Sequence, residues 1–129
     1  MVSNQITQGI SISVEPVFNE KYSNLDKGQF IFEYQVTIEN HTEFPVQLLR
    51  RTWDIFDSLS GHNHVEGEGV IGEQPVIYPN DAYTYRSYCD LSTDYGKMKG
   101  KYLMERKADG FRFFVDIPEF ELVAPFKLN

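Results

Sequence analysis

From Gly9 onward the chain alternates, with Ile10, Ile12 and Val14 interleaved with Ser11, Ser13 and Glu15. That period of two turns one side of a strand toward a core and the other toward water. Pro16 lacks a backbone donor and marks the far end as an edge position. After the turn-rich stretch from Asn19 to Gly28, Phe30, Phe32, Tyr34, Val36 and Ile38 share one face, opposite Glu33, Gln35, Thr37 and Glu39. This is the clearest strand in the sequence. Val46 to Asp57 also reads as a long strand, although both of its faces mix apolar and charged residues. A helix there would lack a continuous apolar stripe.

The second half repeats the style. Pro79-Asn80-Asp81 signals a turn, and Tyr83, Tyr85, Ser87 and Cys89 then alternate with Ala82, Thr84, Arg86 and Tyr88. After Asp94-Tyr95-Gly96, Met98, Gly100, Tyr102 and Met104 alternate with Lys97, Lys99, Lys101 and Leu103. Ala108-Asp109-Gly110 then turns the chain into Phe111, Phe113, Val115 and Ile117, a β-hairpin. Short strands at regular spacing, with no amphipathic helix, predict an all-β sandwich or barrel of about seven to nine strands. No linker or repeat divides the chain, so one domain is expected over residues 4–129.

Composition narrows the function. The 129 residues carry 12 Lys and Arg against 19 Asp and Glu, a formal charge of -7 that repels phosphate backbones and anionic lipid. Nucleic acid and membrane are therefore not expected as partners. The single cysteine, Cys89, excludes an intrachain disulfide and a thiolate zinc cluster, and fits a reducing cytoplasm. Neither a signal peptide nor a membrane-length apolar run is visible.

Four groups of residues are candidates for chemistry. Gly67-Glu68-Gly69-Val70-Ile71-Gly72 matches the dinucleotide-binding string, but Pro75 and Pro79 follow where that fold needs a helix. The glycines then serve either bulges and close strand packing, or a nest of N–H groups for an anion. Glu66, Glu68 and Glu73 flank the loop, so an anion would need cations from elsewhere. Lys97, Lys99 and Lys101 share one strand face and could supply them, or could guard an edge strand against aggregation. His62, His64, Glu66 and Glu68 would share a face of extended chain, but same-face neighbours are roughly 7 Å apart and cannot all surround one ion. They read as exposed loop residues, and no metal or cofactor is expected. Cys89 reads as a core thiol, and no nucleophile–base pairing is visible around it or around His41, His62 and His64.

Longer segments carry a resemblance. Pro45-Val46-Gln47-Leu48-Leu49-Arg50-Arg51-Thr52-Trp53 and Val65 through Pro75 resemble the bacterial ApaG family. So do Ser87, Gly96 to Tyr102, and Phe113 to Phe120 followed by Leu122. The resemblance implies a β-sandwich of fibronectin type III or immunoglobulin-like topology with two antiparallel sheets. It also implies a link to cobalt resistance and magnesium efflux, and a suggested pyrophosphate loop, here Gly67, Gly69 and Gly72. Related domains in F-box proteins and in a DNA-polymerase-associated protein look like interaction modules.

The expectation is thus a non-catalytic module that binds a protein partner through loops or an exposed strand edge. Homodimerisation through such an edge stays open. The alternative is a binder of pyrophosphate or nucleotide phosphates, using Gly67, Gly69 and Gly72 with Lys97, Lys99 and Lys101.

Overall fold

The computed structural model describes residues 2–125, so the last residues of the expected domain lie outside it. Nine strands form two antiparallel sheets: β1 (Ser3–Thr7), β2 (Ile10–Phe18), β3 (Phe30–Asn40), β4 (Val46–Asp57), β5 (Gly61–Glu68), β6 (Val76–Ile77), β7 (Ala82–Leu91), β8 (Tyr95–Arg106) and β9 (Arg112–Val123). A 3₁₀ turn spans Leu25–Lys27. The first sheet has the order β1-β2-β3-β7 and the second β5-β4-β8-β9, with β6 pairing the start of β4. All pairings are antiparallel, as expected for this two-sheet β-sandwich.

The inward side chains of both sheets form one core, including Ile10, Ile12, Val36, Leu48, Met98, Tyr102 and Leu122. The alternation of β3 is transcribed directly, with Phe32, Tyr34, Val36 and Ile38 buried. The mixed faces of β4 have a different cause. Its ladder with β8 pairs Leu48 with Met104 and then Arg50 with Leu103, so Leu49 is a bulged extra residue. Before the bulge Val46 and Leu48 point inward; after it the inward set is Arg51, Trp53, Ile55 and Asp57. A similar shift in β9, where Ile117 pairs with Gly100 and Phe120 with Met98, lets Pro118 sit in a strand between inward residues of opposite parity.

Three strands were not apparent in the sequence. β1 pairs the first half of β2, from Ile10 to Val14, and stops before Pro16, whose outer side stays open as its chemistry requires. β5 and β6 are short or rich in polar residues, and their pattern does not alternate. The lysine strand β8 lies between β4 and β9, so the expectation of an edge strand guarded by lysines is corrected.

The flanks of the sandwich differ. On one, β1 and β9 approach, and the Asp116 N–H donates to Thr7 Oγ1 at 3.3 Å. On the other, β5 and β7 are both terminal and leave the sheets parted. Asp57 ties the sheets at one end of this open flank. Its carboxylate accepts from the Ser92 N–H (2.7 Å) and Ser92 Oγ–H (2.6 Å), just beyond β7, and from the Leu59 N–H (2.9 Å) in the β4–β5 turn. Burial pushes the Asp57 pKa up, but these hydrogen bonds from Ser92, Leu59 and Ser60 outweigh it and hold the group at about 2.

Because the folded pKa lies below the unfolded value of about 3.9, Asp57 stabilises the fold fully above that value and loses its effect as pH falls toward 2. Asp57→Asn is expected to lower unfolding free energy by about 2 kcal/mol at neutral pH. In urea titrations the gap from wild type should shrink between pH 4 and pH 2. A gap that stays constant with pH would contradict this assignment.

Candidate functional site

The open flank holds a cleft of about 610 Å³ between the sheets, walled by Tyr34, Trp53, Ile55, Ser87, Cys89 and Met98. At one end a smaller recess of about 150 Å³ is bounded by Arg51, Tyr85, Ile71 and Gly72. Arg51 belongs to both. Its inward direction follows from the Leu49 bulge, and its neighbour in the ladder of β5 is Gly67.

The glycine segment is built around that arginine. The Arg51 Nη1 donates to the Glu68 carbonyl (3.0 Å) and to the Gly69 carbonyl (2.7 Å). A Cβ on Gly67 would come within 2.8 Å of Arg51 Nη2, so the missing side chain is the space in which the guanidinium lies. Gly69 has φ +59°, and a Cβ there would meet the Glu73 carbonyl oxygen at 2.0 Å. Val70 and Glu73 exchange backbone hydrogen bonds of 2.8 and 3.0 Å, closing a two-residue hairpin turn. Its central residues Ile71 and Gly72 have φ +49° and +75°, the primed turn geometry. Gly72 is the conventional choice there; a β-branched residue such as Ile71 is strained in this region.

The hairpin stands on β4. The Leu49 carbonyl, at the bulge, accepts from the Gly69 N–H (2.8 Å) and from Gln74 Nε2 (2.9 Å), and the Leu48 N–H donates to the Pro75 carbonyl (3.0 Å). The N–H groups of Gly69, Val70 and Glu73 are therefore engaged within the protein. The loop presents carbonyl oxygens to a cation, the reverse polarity of a phosphate nest.

The lysines are elsewhere. Lys97, Lys99 and Lys101 pair in the ladder with Phe56, Asp54 and Thr52 and point out of the second sheet, whereas Arg51 points into the sandwich. With β4 between them, β8 and β5 are separated by roughly 10 Å across the sheet. Lys97 Nζ is 3.8 Å from Glu119 Oε1 and lies over the Phe56 ring, and Lys101 lies over Phe114. The structure thus brings Gly67, Gly69 and Gly72 together around Arg51 and leaves the three lysines on the far face.

His62, His64, Glu66 and Glu68 are not loop residues but the exposed outer face of edge strand β5. They engage in pairs: His62 Nδ1 with Asp54 Oδ1 at 3.1 Å, and His64 Nε2 with Glu66 Oε1 at 3.2 Å. No set of three or more His, Cys, Asp or Glu side chains converges among the described residues.

The cleft walls hold their protons tightly. Burial pushes the Cys89 thiol up to about 12, with Asp90 and Asp57 adding to the effect. Burial also raises Tyr34, offset in part by its hydrogen bond with Ser87, and raises Tyr85 and Tyr102, whose hydroxyls bond to each other across the two sheets. Arg51 is the group that sequence reasoning passed over. It stood in a recognised segment, but only the bulge decides that it, and not Arg50, faces inward.

Gly69→Ala should cost at least about 2 kcal/mol, because a Cβ collides with backbone at a left-handed residue. Ile71→Asn, by contrast, should raise stability by about 1 kcal/mol by relieving the strained φ. Thermal and urea unfolding of the two variants check both signs.

Residues 20–106 match the family model described as the ApaG domain. The chain is 42% identical over 120 residues to Protein ApaG of Brucella canis, covering 93% of this chain and 92% of that protein. It has the same identity and coverage with Protein ApaG of Sinorhizobium fredii. A crystal structure of the putative ApaA protein from Bordetella pertussis superposes with a TM-score of 0.86 at 35% identity, over 90% of this chain and 94% of that one. With the family model matched over residues 20–106 and relatives 42% identical over nearly their whole length, this chain belongs to the ApaG-domain family.

Proposed function

We propose that the chain is a non-catalytic protein-binding module whose partner docks along the open flank between β5 and β7. The observation that carries this is the asymmetry of the sandwich. The β9 edge is packed against β1 along Ser3–Thr7, whereas the ten-residue strand β7 has β3 as its single ladder neighbour among the described residues and borders the cleft. An unpaired edge of that length offers a row of N–H and C=O groups to an extended segment, with alternate side-chain pockets beneath it. The thiol and phenols in the cleft are held in their neutral forms, which supports recognition over nucleophilic or acid–base chemistry. The family's association with cobalt resistance and magnesium efflux fits an indirect role through a partner.

A second reading, binding of pyrophosphate or a nucleotide phosphate, keeps one observation in its favour. Arg51 has no carboxylate partner among the described residues, and it sits beside the glycine hairpin. In this version Arg51, and not the lysines, supplies the charge.

Peptides selected from a random displayed library against the purified chain should slow amide hydrogen exchange across Ala82–Leu91. Protection confined to β1 or β9 would reject the docking site. For the second reading, pyrophosphate, ATP and diadenosine tetraphosphate titrated against amide NMR spectra should move Gly67, Gly69 and Gly72 at micromolar ligand. Unmoved signals at millimolar ligand would eliminate it.

A further inference from the structure

We infer that the segment docking on β7 is an extended peptide bearing one acidic side chain, whose carboxylate pairs with Arg51 inside the cleft. This rests on the docking reading and adds to it the chemistry of the partner. A strand laid against β7 would extend the first sheet, and every second side chain would point the same way as Tyr83, Tyr85, Ser87, Cys89 and Leu91, into the cleft. What those side chains meet changes along the strand.

Beside Tyr85 and Ser87 they meet Arg51. Its Nη1 is held by the carbonyls of Glu68 and Gly69, which fix the guanidinium plane but leave its charge uncompensated. Seven other basic side chains, three of them histidines, find carboxylates on the surface, yet no Asp or Glu forms an ion pair with Arg51 among the described residues, in a chain with 19 acids. A half-buried fork of donors, positioned by two carbonyls and lacking an anion, is suited to a carboxylate from outside. Beside Cys89 and Leu91 the inward wall is formed by Trp53, Ile55, Val65 and Met98, the exposed His62 and Asn63 of β5 also border the cleft, and beyond them lie Asp57 and Asp90. An inward residue there is favoured if apolar, and a second acid would be repelled. Since every ladder among the described residues is antiparallel, the partner runs from the Leu91 end toward the Tyr85 end, giving the order apolar, spacer, apolar, spacer, acidic.

The test uses the full chain and fluorescein-labelled peptides in which threonine spacers separate two valines and a glutamate, read by anisotropy. Companion peptides carry glutamine for glutamate, or the glutamate at the opposite end. The first peptide should bind at least about tenfold more tightly than either companion, since a charge-assisted bond is at stake. Arg51→Gln should erase the glutamate-to-glutamine ratio, and Arg51→Lys should retain part of it. Equal binding of the glutamate and glutamine peptides overturns the carboxylate assignment, as does absence of binding by all three. The docking reading survives either result if library-selected peptides protect β7 from exchange, and falls only if they do not. Should Arg51→Gln fail to fold, the comparison of peptides on the wild-type chain decides the matter.

Discussion

The guanidinium of Arg51, gripped by the carbonyls of Glu68 and Gly69, is the contact on which the distinctive part of this sandwich depends. A charge that is half withdrawn from water demands compensation, and here the first part of it comes from backbone dipoles. That requirement explains the glycine segment residue by residue. Gly67 leaves room for the guanidinium, Gly69 lets the chain fold back against Glu73, and Gly72 completes the turn that holds both carbonyls in place. A string that resembles a phosphate-binding fingerprint is, in this setting, a cradle for a cation.

The strand order gives the two sheets unequal edges. At β1 and β9 the strands pack together and share the Thr7 hydroxyl bond, and a second cleft of about 680 Å³ opens beside Pro16, Phe18 and Phe120 where β1 stops. At β5 and β7 a cleft runs between the Arg51 cradle and the Asp57 carboxylate, which ties the sheets through its hydrogen bonds from Ser92. Between them Tyr34, Trp53, Ile55 and Met98 line the cleft, and Tyr34 and Phe120 each meet the Trp53 ring edge-on. Such a cleft is preformed, which lowers the ordering cost of receiving an extended ligand.

How much of this was legible in the sequence depended on whether side-chain period alone decided the outcome. For β3, β7, the first half of β2 and the β8–β9 hairpin as far as Ile117 it did, because there alternate residues turn inward without interruption. For β4 it did not. A bulge changes which parity faces inward, and nothing in Val46 to Asp57 marks Leu49 as the surplus residue. The site inherited that ambiguity: Arg50 and Arg51 are adjacent, and only one enters the cleft. The lysines misled for a related reason. Their shared face was read correctly, but ladder order, which a single sequence does not encode locally, placed them on the outside of a central strand. β5 was missed because an edge strand exposed on its outer face needs no apolar alternation there.

The bulge at Leu49 also bears on how this fold tolerates changes of length. A β4 shortened by that one residue would keep Arg51 and Trp53 facing inward with an uninterrupted ladder, so the strand itself has no need of it. What would vanish is the carbonyl that receives both Gly69 and Gln74. The extra residue therefore belongs, in mechanical terms, to the hairpin and not to the strand that contains it. A one-residue deletion there would spare the sandwich while unmooring the cradle.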